Sequence, residues 1–196
     1  MSRVQLTQAL RDFFASVQAR DMQAAVSAVA AQTCPAPEVG DWEEVEFGFN
    51  RLFVGPMALQ APPYASVYLE SDPRLMGPST LQVRRAYRNL GLASPQENSL
   101  PDDHLALELD ACAVMQARLS AGDLQLTEVW TAFVQGHMAR WIPGFIARLL
   151  AAPELHPIFV YMAARLEDWL EGELALLTHG AGETVNHNGG WYEQGA

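Results

Sequence analysis

DDHLALELDACAVMQARL, residues 102–119, is the stretch that indicates the fold class. Leu105 and Leu109 are one helical turn apart and define one apolar face of an α-helix. Leu107 and Val114 fall on the opposite side of the same helix. A helix that is apolar on two sides is surrounded by other elements, so this segment is predicted to lie at the centre of an α-helical core.

Helical spacing of apolar residues continues on both sides of this segment. It predicts further helices over residues 4–19, 22–31, 41–54, 79–90, 126–141, 142–153 and 156–177. The best strand candidate, ASVYLES at 65–71, is isolated, which argues against a sheet. The chain is therefore predicted to form one all-α domain over residues 1–177, followed by a Gly-rich tail at 178–196.

Several helix ends carry recognisable signals. Asp41 is predicted to cap the helix that it begins, and Gly55 is predicted to end that helix. Ser79 and Gln82 match a capping box at the start of a later helix, and Gly91 follows the end of the same helix. These signals fix where the helices are expected to begin and end.

The charge of the chain limits the classes of function. The sequence has 12 basic and 23 acidic side chains, which give a formal net charge of −11. All 12 basic side chains are arginine. A chain without lysine has neither a P-loop for nucleotide phosphates nor a Schiff-base lysine. The acidic balance argues against nucleic acid, whose phosphates need a basic surface, but it permits a basic partner.

Composition also bears on location. The 196 residues are 49% hydrophobic, which is enough for one sizeable core. No apolar run reaches the roughly 20 residues of a membrane-spanning helix. The first residues, MSRVQLTQALRDFF, lack the apolar region of a secretory signal. We expect a cytoplasmic protein in which Cys34 and Cys112 are free, buried thiols.

Histidine and carboxylate side chains are the candidates for chemistry. His104 and Glu108 are spaced to supply an acid–base pair or half of a metal site, which would suit a small metal-dependent hydrolase. No second motif supplies the third ligand that such a site needs, so no metal site and no cofactor are predicted. His137 lies on an aromatic helix face and is interpreted as a core histidine with its hydrogen bond satisfied.

The segment between residues 55 and 78 is the candidate for binding. It is rich in proline and glycine, and long loops of this kind are often functional. Pro62 and Pro63 stiffen the approach to Tyr64 and Tyr68, so the segment suits the binding of an extended or helical peptide. The alternative is that both tyrosines fill gaps in the core beneath a long loop.

Five motifs, in this order along the chain, together resemble the TorD/DmsD family of chaperones for molybdenum-cofactor enzymes. They are FNRLFVGP, PPYASVYL, LMGPSTLQVRRAYRNLGL, PDDHLALELDACAVM and FVQGHMARWIPGF. The resemblance covers residues 42–170. It implies an all-helical single domain, with the Pro-rich loop between N-terminal and C-terminal helices, and no catalysis.

The resemblance also implies a partner and a site. The partner would be the twin-arginine leader, and the apo form, of an exported reductase for dimethyl sulfoxide or trimethylamine N-oxide. The implied site residues are Leu52, Phe53, Pro62, Pro63, Tyr64, Tyr68, Gly77, Asp103 and His104. We expect the Asp103 carboxylate to bond the leader's guanidinium groups. The alternative function is that of an assembly factor of the nitrate-reductase type for a non-exported enzyme. The oligomeric state is either a monomer or a helix-exchanged dimer.

Overall fold

The computed structural model describes residues 2–55, 58–71, 77–92 and 100–183. The helices of the described residues are α1 (Arg3–Phe14), α2 (Ala19–Ala30), α3 (Trp42–Phe49), α4 (Ser66–Leu69), α5 (Pro78–Asn89), α6 (Leu105–Ser120), α7 (Thr127–Phe133), α8 (Ala139–Leu150) and α9 (Pro157–Glu183). Within these residues there is no β-strand, and the all-α prediction is confirmed. None of the described helices is both long and apolar enough to cross a bilayer.

The helix predicted to be central packs as expected. Leu105, Leu109 and Cys112 on α6 are fully buried, while Leu107 and Val114 on its other side are half-buried. Helix α1 packs along α6, and α7 and the 3₁₀ turn Leu124–Leu126 also contact it. The apolar residues on both sides of α6 are thus at least half-buried, as its two-sided apolar pattern predicted.

Buried hydrogen bonds join α1, α6 and α9. The Thr7 hydroxyl donates to Gln116 Oε1 at 2.8 Å, and Trp169 Nε1 donates to Thr7 Oγ1 at 2.8 Å. Glu173 accepts from Gln116 and from Arg3. These bonds satisfy polar groups that would be costly to bury alone, and they fix the register of the three helices.

Two helices continue into π-helical turns. Helix α3 passes into the turn Asn50–Val54, where the Gly55 N–H donates to the Asn50 carbonyl at 2.8 Å. The predicted end at Gly55 is confirmed, with a positive φ of 79°. Asp41 caps α3 as predicted, accepting from the Glu43 N–H at 2.8 Å. The extra residue of a π-turn re-aims the side chains that follow it.

The predicted break between residues 141 and 142 is wrong. Helix α7 passes through the π-helical turn Val134–Met138 into α8, which continues through Pro143. A proline inside a helix costs about 3 kcal/mol. Burial of Trp141 and Phe145, both fully buried on the same face of α8, offsets that cost.

The expected loop between residues 55 and 78 contains the one-turn helix α4; residues 56–57 and 72–76 lie outside the described residues. The candidate strand ASVYLES is therefore helical at Ser66–Leu69. The predicted capping box is wrong, because α5 begins at Pro78 with Gly77 as its N-cap and no side-chain cap on it. Gly91 follows α5 with a φ of 71°, as predicted.

Two further expectations differ from the structure. Helix α9 continues to Glu183, beyond the expected helix end at 177, and residues 184–196 lie outside the described residues. Cys112 is buried as expected, but Cys34 is exposed. Cys34 follows the end of α2, and the Arg165 guanidinium donates to its sulfur at 3.2 Å, so it lies at the surface rather than within the core.

Candidate functional site

The structure brings the Pro-rich segment against the start of α6 through backbone hydrogen bonds. The Leu105 N–H donates to the Pro63 carbonyl at 2.9 Å, and the Ala65 N–H donates to the Asp103 carbonyl at 3.0 Å. These bonds form an isolated antiparallel bridge between Tyr64 and His104. Two motifs that are about 40 residues apart in sequence are therefore one structural unit, which we call the bridge.

Asp103 holds three segments together at the bridge. Its side chain is fully buried. Asp103 Oδ2 accepts from the Ser66 N–H at 2.8 Å, and Oδ1 accepts from the Thr80 hydroxyl at 2.9 Å. The carboxylate thus caps α4 and anchors α5. In this arrangement Asp103 orients the bridge and does not face solvent, where a leader's guanidinium was expected to meet it.

Gly77 has a steric role beside the bridge. Glu70 Oε1 accepts from the Ser79 N–H and from the Ser79 hydroxyl, both at 2.9 Å, and so satisfies the first turn of α5. A Cβ at Gly77 would overlap the Glu70 carboxylate. A side chain at position 77 would therefore require the Glu70 carboxylate to move away from the first turn of α5.

The two tyrosines differ in exposure and in contacts. Tyr64 is buried, and its ring centroid lies 5.0 Å from that of His104 in an edge-on contact. Tyr68 is half-buried, stacks on Trp141 at 5.9 Å, and donates its hydroxyl to the Pro62 carbonyl at 2.9 Å. Burial raises the pKa of Tyr68 to about 12, so this hydroxyl stays a hydrogen-bond donor. Gly144 on α8 leaves room for the ring.

Leu52 and Phe53 support the bridge from the π-helical turn after α3. The Leu52 carbonyl accepts from the Ala61 N–H at 3.1 Å, and the Leu52 side chain is fully buried. The Phe53 ring lies 4.9 Å from Phe49, centroid to centroid, and 6.0 Å from Phe145. The turn therefore contributes Phe53 to the aromatic core and binds the Pro-rich segment through the Leu52 carbonyl.

A buried carboxylate lies one helical turn below the bridge. Glu108 Oε1 is 2.6 Å from His137 Nε2, and Oε2 accepts from Trp141 Nε1 at 3.0 Å. Burial raises the pKa of Glu108. Burial alone would lower the pKa of His137, but the Glu108 carboxylate outweighs it and raises that pKa. The interpretation of His137 as a histidine with its hydrogen bond satisfied is confirmed, but the residue is half-buried at the edge of the core.

His104 and Glu108 do not share a ligand. The His104 Nδ1 accepts from the Ala106 N–H at 3.1 Å and caps α6, whereas Glu108 faces His137 and Trp141. The hydrolase alternative needs both groups to face one metal ion, and the structure directs them to different partners. Among the described residues, no cluster of three His, Cys, Asp or Glu side chains is arranged to hold a metal.

His104 is a neutral histidine at the bridge. Burial lowers its pKa to about 4, although the Asp103 charge opposes the shift. Because Nδ1 accepts a hydrogen bond, the ring proton is on Nε2. The side chain thus lines the site as an uncharged donor at physiological pH.

Because its pKa is lowered, His104 should make the folded protein less stable as the pH falls. The substitution His104→Asn should remove this part of the pH dependence. Unfolded histidine titrates near 6.5, so between pH 6.5 and about 4 the unfolded chain binds a proton that the folded chain excludes. Stability conferred by neutral His104 is present above pH 6.5 and is lost as the pH falls. The wild type should lose about 2 to 3 kcal/mol more than His104→Asn between about pH 7.5 and 4.5.

Urea unfolding at the two pH values measures this difference. Asparagine keeps an N-cap acceptor on α6, and the oppositely signed contribution of His137 is common to both proteins. Equal losses of unfolding free energy in wild type and variant would contradict the neutral state of His104.

A cleft of about 510 Å³ opens beside the bridge. Three of the residues implied by the sequence, Phe53, Tyr64 and His104, line it together. The remaining apolar lining includes Phe14, Val17, Val54, Leu100 and Leu107. Val17 and Val54 are 67% and 56% exposed at the cleft, so this wall presents apolar surface to solvent.

A second cavity, of about 550 Å³, adjoins the first beside the end of α1. Asp12, Ala15, Ser16 and Val17 line both cavities, so the two form one groove. Its far end carries Asp21, and Asp110 lies on the wall of the cleft. The groove is thus apolar near the bridge and carries carboxylates from α1, α2 and α6.

Sequence reasoning missed several residues of this site. Thr80, Glu70 and Trp141 hold the implied residues in place, and the end of α1 forms one wall of the groove. One π-helical turn precedes Gly55 and the other precedes α8. Such turns are frequent at functional sites. The periodicity of the sequence does not distinguish them from α-helix. No local pattern in α1 separates a groove wall from an ordinary amphipathic helix.

Comparison with known proteins supplies a family context. A family model described as "Nitrate reductase delta subunit" matches residues 7–147. The Tat proofreading chaperone DmsD of Salmonella typhi is 30% identical over 104 residues, which are 53% of this chain and 48% of that protein. The chaperone protein TorD of Psychrobacter sp. (strain PRwf-1) is 33% identical over 122 residues, 60% of this chain and 53% of that protein. The chain spans about half the length of these curated relatives.

The fold is shared with a solved structure. It is described as a redox enzyme maturation protein from Archaeoglobus fulgidus, with 19% sequence identity and a TM-score of 0.60. The match covers 87% of this chain and 94% of the other. At this identity the similarity shows the all-helical fold.

Proposed function

Since this chain belongs to the nitrate reductase delta subunit family, of the TorD/DmsD type, we propose that it is a maturation chaperone for a molybdenum-cofactor oxidoreductase. It binds the twin-arginine leader, and the apo form, of a client such as a dimethyl sulfoxide or trimethylamine N-oxide reductase. Binding delays export until the cofactor is inserted. This role places the chaperone in the cytoplasm, where the leader is made.

The observation that carries the proposal is the groove beside the bridge. Phe53, Tyr64 and His104 come from three separate segments and line one cleft with an exposed apolar wall. A twin-arginine leader pairs arginines with an apolar stretch. The apolar cleft accommodates the stretch, and the acidic part of the groove complements the arginines.

Each implied residue has a part in this proposal. Tyr64 and the Nε2–H of His104 contact the leader directly, and Phe53 forms the apolar floor. The remaining residues position these three: Leu52, Pro62, Pro63, Tyr68, Gly77 and Asp103. Their hydrogen bonds and packing are all made within the protein, which keeps the groove formed before the leader arrives and reduces the cost of binding.

Calorimetric titration with synthetic leader peptides tests the proposal. The first peptide carries two consecutive arginines followed by an apolar stretch of about 12 residues. In the second, both arginines are alanine. We expect micromolar or tighter binding of the first and about tenfold weaker binding of the second, because two charge-assisted contacts are lost.

Equal binding of the two peptides would show that the apolar stretch alone is recognised. Absence of binding to leaders from all candidate clients would favour the second function, an assembly factor for a non-exported enzyme. The family description favours that alternative, and its partner would be the mature reductase rather than a leader.

A further inference from the structure

We propose that Arg11 is an internal occupant of the arginine-binding part of this groove, which a leader arginine must displace. The inference rests on the proposed function and adds a residue that regulates the same site. The sequence patterns did not single out Arg11, which lies in the last turn of α1.

Arg11 already holds two carboxylates as a leader arginine would. Its Nε donates to Asp12 Oδ1 at 2.8 Å, and one terminal nitrogen donates to Asp110 Oδ1 at 2.5 Å. Asp12 belongs to α1 and Asp110 to α6, so the guanidinium spans the two helices. The arrangement is a guanidinium site built from two separate helices and filled by the protein's own side chain.

The position of these three side chains connects them to the leader. Arg11, Asp12 and Asp110 all line the 510 Å³ cleft that contains Phe53 and Tyr64. Their side chains are 30%, 55% and 45% exposed, so peptide and solvent can reach them. Among the described residues that line either cavity of the groove, Arg11 is the only arginine.

Charge complementarity sets the direction of the leader. The apolar stretch lies at Phe53 and Tyr64, while the arginines lie between α1 and α6, at Asp12 and Asp110. Two carboxylates offer one acceptor group to each of two consecutive arginines, provided that Arg11 moves aside. A single basic residue would gain one contact and leave Arg11 competing for the other.

Internal competition also keeps the complex reversible. The ion pairs of Arg11 are partly exposed and therefore weak, which makes them exchangeable. When the leader leaves, Arg11 returns to both carboxylates, so neither is left uncompensated. A chaperone that must release its client for export benefits from this exchange.

Titration of Arg11→Gln with the two peptides tests the inference. Glutamine removes the competing charge and keeps a polar side chain of similar length. We expect Arg11→Gln to bind the double-arginine peptide about fivefold tighter than wild type, with no change for the double-alanine peptide. The gain should shrink at high ionic strength, because exposed charges are screened.

Two further variants separate competition from a structural role. Arg11→Lys keeps a competing charge and should bind within about twofold of wild type, since lysine still offers one contact. Arg85→Gln makes the same change of charge on the exposed surface of α5, outside the groove, and should leave both affinities unchanged. Thermal unfolding followed by circular dichroism establishes that each variant is folded.

Asp110→Asn keeps the inference falsifiable if Arg11→Gln does not fold. It should weaken binding of the double-arginine peptide about fivefold and leave the double-alanine peptide unchanged, with Asp168→Asn on α9 as the matched control. Unaltered binding in Arg11→Gln, or equal tightening of both peptides, overturns the role of Arg11 alone. If wild type and all variants bind neither peptide, the proposed function falls, and this inference falls with it.

Discussion

Replacing Glu108 by alanine is expected to lower the free energy of unfolding by about 3 to 5 kcal/mol. The carboxylate is fully buried and serves His137 and Trp141. Its removal leaves the buried Trp141 Nε1–H and the half-buried His137 ring without their acceptor, and it also opens a void. Urea unfolding at neutral pH measures the loss.

Two variants control this prediction. Glu108→Gln retains an acceptor for Trp141 and a polar partner for His137, so it should cost clearly less than alanine. Glu167→Ala removes an exposed carboxylate from α9 and should change stability by less than about 0.5 kcal/mol. If Glu108→Ala costs no more than Glu167→Ala, the buried network does not contribute to the fold.

The same network bears on the site. Trp141 stacks against Tyr68, whose hydroxyl bonds the Pro62 carbonyl. If Trp141 moves, Tyr68 and the Pro-rich segment that it bonds are expected to shift with it. Leader affinity in Glu108→Ala should fall even though Glu108 does not line the groove, which would identify it as a positioning residue.

Asp103→Ala is expected to have the second largest effect, about 2 to 4 kcal/mol of unfolding free energy. The substitution leaves the Ser66 N–H and the Thr80 hydroxyl unsatisfied at a fully buried position. It also removes the hydrogen bonds through which Asp103 connects the Pro-rich segment to α5. Under the proposed function, affinity for the double-arginine peptide should fall by at least about tenfold, because an unformed groove must be ordered on binding.

Asp103→Asn distinguishes a role in positioning the bridge from direct pairing with a leader arginine. Asparagine keeps an acceptor for Ser66 and a polar contact for Thr80, but it removes the charge. Since both carboxylate oxygens are already used inside the protein, Asp103→Asn should retain most of the leader affinity. A folded Asp103→Asn that binds no leader would instead support direct pairing with a guanidinium. Asp168→Ala is the exposed control.

Local sequence patterns were sufficient for most helices of the fold and for several of their ends. The two-sided apolar pattern of α6 predicted its central position, and Asp41, Gly55 and Gly91 predicted helix ends that the structure contains. These signals are local: a cap bonds its own first turn, and a glycine can adopt a positive φ at a helix end because it has no Cβ. Ser79 failed as a cap because Glu70, from another segment, took that role.

The assembly of the site is a matter of tertiary structure. The sequence alone determined that the chain is helical, acidic, without lysine and similar to a chaperone family in five ordered motifs. Only packing decided that Glu108 faces His137, that Asp103 is buried beneath Ser66, and that α8 tolerates Pro143. The physical reason is that periodicity reports which face of a helix is apolar, whereas the partner of a polar side chain depends on which helices pack together.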